Sequence, residues 1–154
     1  VQMRRESNIA IGQNAGKDDL IRSGNQHSAL DRKTVLVVED ISSNYLLISA
    51  MLSKHYNLLH AVNGEQAVAM VKEYKIDLLL MDMKMPVMDG LTATAEIRKF
   101  DTNIPIVALT AHAFESDKVA ALKSGCNDYL VKPVDKARLM SVLRKYCHPS
   151  TLVL

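Results

Sequence analysis

Four short apolar runs in this chain each end at a charged or hydroxyl-bearing residue. The runs cover residues 35–38, 78–81, 106–109 and 129–131. The residues that follow them are, in the same order, Glu39 with Asp40, Asp82, Thr110 and Lys132. Runs of this length are typical of strands buried in a parallel sheet, and parallel strands bring their C-terminal ends to one edge. Ligands bind open α/β sheets at that edge, so we expect these polar side chains to form one site.

From Thr34 onward, strand and helix patterns alternate five times. The predicted strands cover residues 34–38, 57–61, 77–82, 104–109 and 128–131. Such alternation indicates right-handed crossover connections and a sheet with helices on both faces. The expected fold is therefore α/β, with a doubly wound, flavodoxin-like sheet of five parallel strands in the order 2-1-3-4-5. In that order strands 1 and 3 are neighbours, which places Glu39 and Asp40 beside Asp82.

Short sequence signals predict where the helices begin and end. Ser42 and Ser43 are candidate caps for the first helix, whose apolar residues include Leu46 and Leu47. Gly125 is typical of the residue that follows the end of a helix, and it is predicted to end the fourth one. The third and fifth helices are predicted to open at Asp89-Gly90 and at Asp135.

Residues 1–33 differ in composition from the rest of the chain. They are dominated by Asn, Gln, Ser, Gly and mixed charges. We interpret them as a linker or disordered lead, with at most a weak helix around 18–21. Residues 34–148 are predicted to form the folded domain, and residues 149–154 a C-terminal tail. The first residue is Val rather than Met, from which we expect the sequence to be part of a longer polypeptide.

Charge and composition argue against several kinds of function. The net charge of +2 is carried by residues 1–33, and residues 34–154 contain 13 residues of each sign. A folded part without a basic excess disfavours nucleic-acid binding. No apolar stretch approaches the roughly 18 residues that span a bilayer, so we expect no membrane contact by this segment, although a parent protein could be membrane-anchored. Cys126 and Cys147 have no metal-type spacing, and we interpret them as free thiols in the cytoplasm.

Three carboxylates, a lysine and a threonine at one edge suit phosphoryl chemistry. Clustered carboxylates repel one another, and Mg²⁺ relieves that repulsion at sites with few protein ligands. An aspartate can act as the nucleophile of phosphoryl transfer, while Lys132 and Thr110 can bind the phosphoryl oxygens. Neither G-x-x-x-x-G-K-[ST] nor G-x-G-x-x-G is present. We therefore expect the phosphoryl donor to be another protein or a small phospho-donor rather than ATP.

Four motifs resemble those of the receiver domain of two-component response regulators. They are VLVVED at 35–40, MDMKMPVMDG at 81–90, ALTA at 108–111 and YLVKP at 129–133. The resemblance covers about residues 34–147, with the motifs in the expected order. The Glu-Asp pair followed by Asn44, together with Pro-Val-Met-Asp-Gly, is similar in particular to receivers fused to hybrid histidine kinases.

The resemblance implies a role for each acidic residue at the predicted edge. Asp82 would accept a phosphoryl group from a phosphohistidine of a histidine kinase or a histidine phosphotransfer protein. Asp40 and Asp82 would bind Mg²⁺, with Glu39 acting nearby or through water. The backbone carbonyl of Lys84 would be a further ligand.

The remaining implied roles concern the phosphoryl oxygens and a switch. Thr110 and Lys132 would bind the phosphoryl oxygens, and the peptide bond between Lys132 and Pro133 would be cis. Thr110 and Tyr129 would couple phosphorylation to the far face of the domain.

Some alternatives stay open on the sequence alone. The side chains of Lys84 and His112 would tune the lifetime of the phosphate, or each could equally be a solvated loop residue. A Mg-dependent phosphatase of the aspartyl-phosphate type would use the same carboxylates, but the chain shows no cap domain. A receiver-like interaction domain that is never phosphorylated would not need the full set of acids with Thr110 and Lys132. No histidine-kinase motif is present, although the parent chain could be a histidine kinase.

Overall fold

The computed structural model describes residues 32–148, whose strands form one parallel sheet. The strands are β1 (Thr34–Val38), β2 (Asn57–Ala61), β3 (Leu78–Asp82), β4 (Ile106–Thr110) and β5 (Asp128–Val131). Their order is β2-β1-β3-β4-β5, and every pairing is parallel. The predicted fold class and strand order are confirmed. The predicted lead, the weak helix within it and the C-terminal tail lie outside the described residues.

Helices cover both faces of this sheet, as the alternation of patterns predicts. They are α1 (Ser42–Leu52), α2 (Gly64–Glu73), α3 (Gly90–Arg98), α4 (Glu115–Ser124) and α5 (Lys136–Cys147). Apolar residues of α1 and α5 share one core, and those of α2, α3 and α4 share the other. Successive side chains of a strand point to opposite faces, so Val35 and Val37 join the first core while Leu36 and Val38 join the second. Double-sided burial explains why the strands have unbroken apolar sequences.

The start of α1 contradicts the predicted cap. The N-cap residue is Ile41, which makes no side-chain capping bond, and the helix already begins at Ser42. Ser42 and Ser43 therefore lie in the first turn, whereas a capping hydroxyl must precede it to reach the free N–H groups.

The residues of α1 that face the core are not the apolar pair that the sequence suggested. Leu46 and Leu47 are 64% and 51% exposed. Ile48 and Leu52, four residues apart, are the buried ones, as the helical repeat requires of residues on one face. The sequence of this helix is apolar on several sides, so periodicity alone does not identify the buried face.

The other predicted helix boundaries agree with the structure. Asp89 caps α3 by accepting a hydrogen bond from the backbone N–H of Thr92 at 2.8 Å. Asp135 caps α5 in the same way through Arg138 at 2.9 Å. Gly125 follows α4 with a φ of 118°, a left-handed conformation that glycine adopts without strain.

β4 begins and ends later than predicted. It runs from Ile106 to Thr110, because Pro105 has no N–H to contribute to the ladder. Thr110 pairs with Val131 in the β4–β5 ladder, and its carbonyl accepts a hydrogen bond from the Lys132 N–H at 2.8 Å. Thr110 is therefore held by the sheet rather than by a loop. The Lys132–Pro133 peptide that follows is cis, as expected.

None of the helices between residues 32 and 148 is both long and apolar enough to cross a bilayer.

Candidate functional site

The C-terminal edge of the sheet brings the predicted charged residues together. Glu39 and Asp40 follow β1, Asp82 ends β3, and Lys132 follows β5. Lys132 Nζ lies 3.0 Å from Glu39 Oε1 and 3.2 Å from Asp82 Oδ1. One ammonium therefore joins the carboxylates from the two neighbouring central strands.

Glu39 forms the floor of this site. It is fully buried, and its second carboxylate oxygen accepts a hydrogen bond from the backbone N–H of Ile41 at 3.2 Å. A buried charge is costly unless it is paired. The pairing with Lys132 meets that cost, and it positions the ammonium beside Asp82.

The electrostatic state of the site depends on this cluster. Burial and, after it, the charge of Glu39 together raise the pKa of Asp82 to about 6, against the opposing effect of Lys132. Burial alone would lower the pKa of Lys132, but its hydrogen bonds to Glu39 and Asp82 and their charges outweigh that effect and raise it. Above pH 6, therefore, two carboxylates and one ammonium share a buried space.

This arrangement predicts a pH-dependent penalty on folding in the absence of a cation. Because the pKa of Asp82 is about 6 in the folded chain and 3.8 as its ordinary value, the folded state binds more protons between these pH values. Stability should therefore fall as pH rises from 4 to 6, by an amount on the order of 2 kcal/mol. With a chelator present, Asp82→Asn should remove this loss and give a higher urea midpoint than wild type at pH 7.

The difference in urea midpoint between wild type and Asp82→Asn, taken at each pH, separates the effect of Asp82 from that of the other groups that titrate. Asp135→Asn is the matched control, because an exposed asparagine caps α5 as well as aspartate does. A stability gain from Asp82→Asn that is as large at pH 4 as at pH 7 would contradict the prediction.

The carboxylates also fit a small divalent cation. Glu39, Asp40 and Asp82 each offer one oxygen, and these oxygens lie within 4.8 Å of one another. Asp40 Oδ1 is buried and, within residues 32–148, has no hydrogen-bond partner. An unpaired buried carboxylate oxygen is costly, and hard oxygen donors are the ligands that Mg²⁺ takes.

The loop after β3 passes close beneath Asp82. A Cβ atom on Gly90 would overlap the backbone oxygen of Asp82, so only glycine allows α3 to start this near the site. The backbone N–H of Lys84 donates a hydrogen bond to Asp82 Oδ1 at 3.3 Å. Asp82 is thus oriented by its own loop as well as by Lys132.

An open cavity of about 350 Å³ lies above these carboxylates. The predicted site residues that line it are Asp40, Asp82, Lys84, Thr110, His112 and Lys132. Asp117 in the first turn of α4 lines it too, and it was not predicted, because only the packing of α4 in the folded domain brings this turn to the cavity. The cavity gives a phosphoryl-sized group access to Asp82.

Thr110 lies at the cavity, but its hydroxyl is engaged by its own loop. Thr110 Oγ1 donates to the backbone oxygen of His112 at 2.9 Å and accepts from the His112 N–H at 3.1 Å. The His112 ring stacks on Phe114 with centroids 5.0 Å apart. These contacts tie the loop between β4 and α4 to the end of β4.

Tyr129 lies on β5 and is not among the residues that line the cavity. The Lys118 ammonium of α4 sits 5.0 Å from the centre of its ring, a cation–π contact. The two predicted switch residues thus lie on adjacent strands, where Ala108 pairs with Tyr129 and Thr110 with Val131.

Comparisons with known proteins by sequence and by structure agree on one family. A model of the response regulator receiver domain matches residues 35–144. Hybrid signal transduction histidine kinase M of Dictyostelium discoideum is 40% identical over 119 residues, a match that covers 72% of this chain and 5% of the kinase. The chain therefore spans only a small part of that curated relative.

Two solved structures are similar over most of the described residues. One is the receiver domain of sensor histidine kinase PA1611 from Pseudomonas aeruginosa, crystallised with a magnesium ion in its active-site cleft. It is 39% identical with a TM-score of 0.71, and the match covers 75% of this chain and 98% of that one. The other is a Saccharomyces cerevisiae co-crystal of the histidine phosphotransfer protein Ypd1 with the receiver domain of Ssk1. It is 36% identical with a TM-score of 0.74, covering 79% of this chain and 93% of that one.

Proposed function

This chain belongs to the response regulator receiver domain family, and on that premise we propose that Asp82 is its phosphoacceptor. The observation that carries the proposal is the position of the Asp82 carboxylate. It lines the open cavity and lies 3.2 Å from the Lys132 ammonium. The same cavity borders Thr110, which supplies a hydroxyl for a phosphoryl oxygen.

In the proposed reaction, a deprotonated oxygen of Asp82 forms the new P–O bond with the phosphoryl group of a phosphohistidine. The P–N bond breaks, and its electron pair returns to the imidazole of the donor. A pKa of about 6 leaves Asp82 mostly deprotonated at pH 7. Lys132 and Thr110 bind the phosphoryl oxygens and stabilise their charge in the transition state.

We propose that the acidic residues hold Mg²⁺ during this reaction. Asp40 and Asp82 would be direct ligands, Glu39 would act nearby or through water, and the backbone carbonyl of Lys84 would add a ligand. The unpartnered Asp40 Oδ1 and the three clustered carboxylate oxygens support this assignment. When bound, the ion supplies positive charge that offsets the repulsion between carboxylates and phosphoryl oxygens.

The proposed partner is a histidine kinase or a histidine phosphotransfer protein. The similarity to a hybrid histidine kinase and to a receiver crystallised with Ypd1 supports this class of partner. We propose that residues 34–148 act as the receiver unit, with residues 1–33 as a linker and residues 149–154 as a tail. A cytoplasmic location stays a prediction from the sequence.

The test is phosphoryl uptake by the full chain from acetyl phosphate and Mg²⁺. Intact mass measurement should show one added phosphoryl group, and peptide mapping should place it on the peptide that contains Asp82. Phosphorylation of a different aspartate, or no uptake from acetyl phosphate or from a phosphohistidine donor, would overturn the assignment. Multiple turnover of generic phosphate esters would favour the phosphatase alternative instead.

We also propose that Thr110 and Tyr129 switch the face formed by the fourth and fifth strands and helices, about residues 110–146. Binding of the Thr110 hydroxyl to a phosphoryl oxygen requires loss of its hydrogen bonds to His112, which frees the loop before α4. Beryllofluoride with Mg²⁺ should therefore shift the NMR signals of Tyr129 and Lys118, and Thr110→Ala should reduce these shifts. Shifts confined to the residues around Asp82 would point to a phosphate relay without a switch.

A further inference from the structure

A histidine on the edge strand contacts the backbone of the acidic pair. His60 Nε2 lies 2.8 Å from the carbonyl oxygen of Glu39. A carbonyl only accepts, so this imidazole nitrogen carries the hydrogen and donates it. The backbone of Glu39 is bound to β2 a second time, because its N–H donates to the Ala61 carbonyl at 2.9 Å, just past the end of β1.

The orientation of the His60 ring is fixed by an aromatic neighbour. Tyr45 of α1 stacks on it with centroids 3.8 Å apart and an interplanar angle of 7°. Both side chains are partly buried. The stack joins the first half of α1 to β2 and limits the rotamers from which His60 can reach Glu39.

The bonded carbonyl belongs to the peptide that links Glu39 to Asp40. A peptide unit is planar, and its plane includes the Cα atom of the following residue. Fixing the direction of this carbonyl therefore fixes the plane from which the Asp40 side chain departs. One oxygen of the Asp40 carboxylate lies within 4.8 Å of those offered by Glu39 and Asp82, so this plane bears on the geometry of the cation site.

We infer that His60, held by Tyr45, is a positioning residue for Asp40 in the cation site. The inference rests on the proposed function, because it assumes that Asp40 binds Mg²⁺. Groups that do not touch the metal but hydrogen-bond to its ligands typically contribute about 10-fold to 100-fold in metal affinity. His60 acts here on the backbone of a ligand rather than on its side chain, so we expect the lower end of that range.

The test compares Mg²⁺ affinity of full-chain variants by calorimetric titration. His60→Phe keeps a flat ring for the stack and removes the donor, and it should weaken Mg²⁺ binding roughly 10-fold. His60→Gln keeps an N–H donor at a similar reach, and it should restore most of the lost affinity. Asp40→Ala gives the reference value, because it shows how far Mg²⁺ affinity falls when the ligand itself is removed.

Leu58→Ala is the matched control for packing. Leu58 lies two residues earlier on the same side of β2 and packs against the core shared with α1, but it is not a donor. This control should change the urea midpoint without changing Mg²⁺ affinity. In Mg-free samples, His60→Phe should also shift the backbone amide signal of Asp40, and Leu58→Ala should not.

Three results would overturn the positioning role alone. They are wild-type Mg²⁺ affinity in His60→Phe, a loss in His60→Gln as large as in His60→Phe, and an equal loss in Leu58→Ala. A wild-type chain that binds no Mg²⁺ would instead overturn the proposed metal site, and the role of His60 with it.

Discussion

Replacement of Asp82 by Asn should abolish phosphoryl uptake from acetyl phosphate, with no added phosphoryl group in the intact mass. An amide is a poor nucleophile, and among residues 32–148 no other carboxylate combines access to the cavity with contact to Lys132. Glu39 contacts Lys132 but is fully buried, whereas Asp40 lines the cavity without that contact among the described residues. The expected loss is therefore complete rather than partial.

Asp89→Asn is the matched control for this loss. Asp89 also lines the cavity, and an asparagine can replace it as the N-cap of α3. This variant should take up one phosphoryl group as wild type does. Phosphorylation of the Asp82→Asn protein at another residue, with a rate near that of wild type, would show that the phosphoacceptor lies elsewhere. The urea midpoint at pH 7 verifies that the variant is folded.

Lys132→Met should slow phosphoryl uptake by roughly 10²-fold to 10³-fold, the usual effect of losing one group that stabilises transition-state charge. The methionine keeps the length of the apolar stem and removes only the ammonium. The same change leaves Glu39 and Asp82 buried beside each other without their shared cation. We therefore expect a loss of stability of about 3 kcal/mol at pH 7 in the absence of Mg²⁺.

The two effects of Lys132→Met are measured separately, by the rate of mass increase and by urea unfolding. Lys123→Met is the control, because Lys123 is an exposed lysine of α4 that does not line the cavity and makes no ion pair with these carboxylates within residues 32–148. Lys132→Arg restores the charge and should recover part of both losses. A Lys132→Met protein that is folded and takes up phosphate within a factor of ten of wild type would contradict the assigned role.

Much of this protein follows from the order of its residue types. Buried parallel strands need unbroken apolar runs, and the right-handed crossover rule leaves few topologies for five such strands alternating with helices. The sequence therefore predicted the order 2-1-3-4-5, and with it the meeting of Glu39, Asp40, Asp82 and Lys132 at one edge. Asp89, Asp135 and Gly125 marked helix boundaries because capping depends on local backbone geometry.

Other features depended on contacts between residues far apart in the chain. The buried face of α1 could not be read from its apolar residues, since the core selects Ile48 and Leu52 over Leu46 and Leu47 only through α1 packing on the sheet. The start of β4 was misplaced because apolar character extends to Ile104, while strand pairing requires the N–H that Pro105 lacks.

The site shows the same division between sequence and tertiary structure. Residue types and strand ends determined which groups meet. A charged residue that directly follows a buried parallel strand lies at the C-terminal edge of the sheet, where the other strands end too. Only the tertiary structure showed that Glu39 lies beneath Lys132 as a buried partner, that the Thr110 hydroxyl is bonded to its own loop, and that His60 holds the carbonyl before Asp40. These contacts depend on side-chain directions and on distances of about 3 Å between separate elements, which no spacing along the chain specifies.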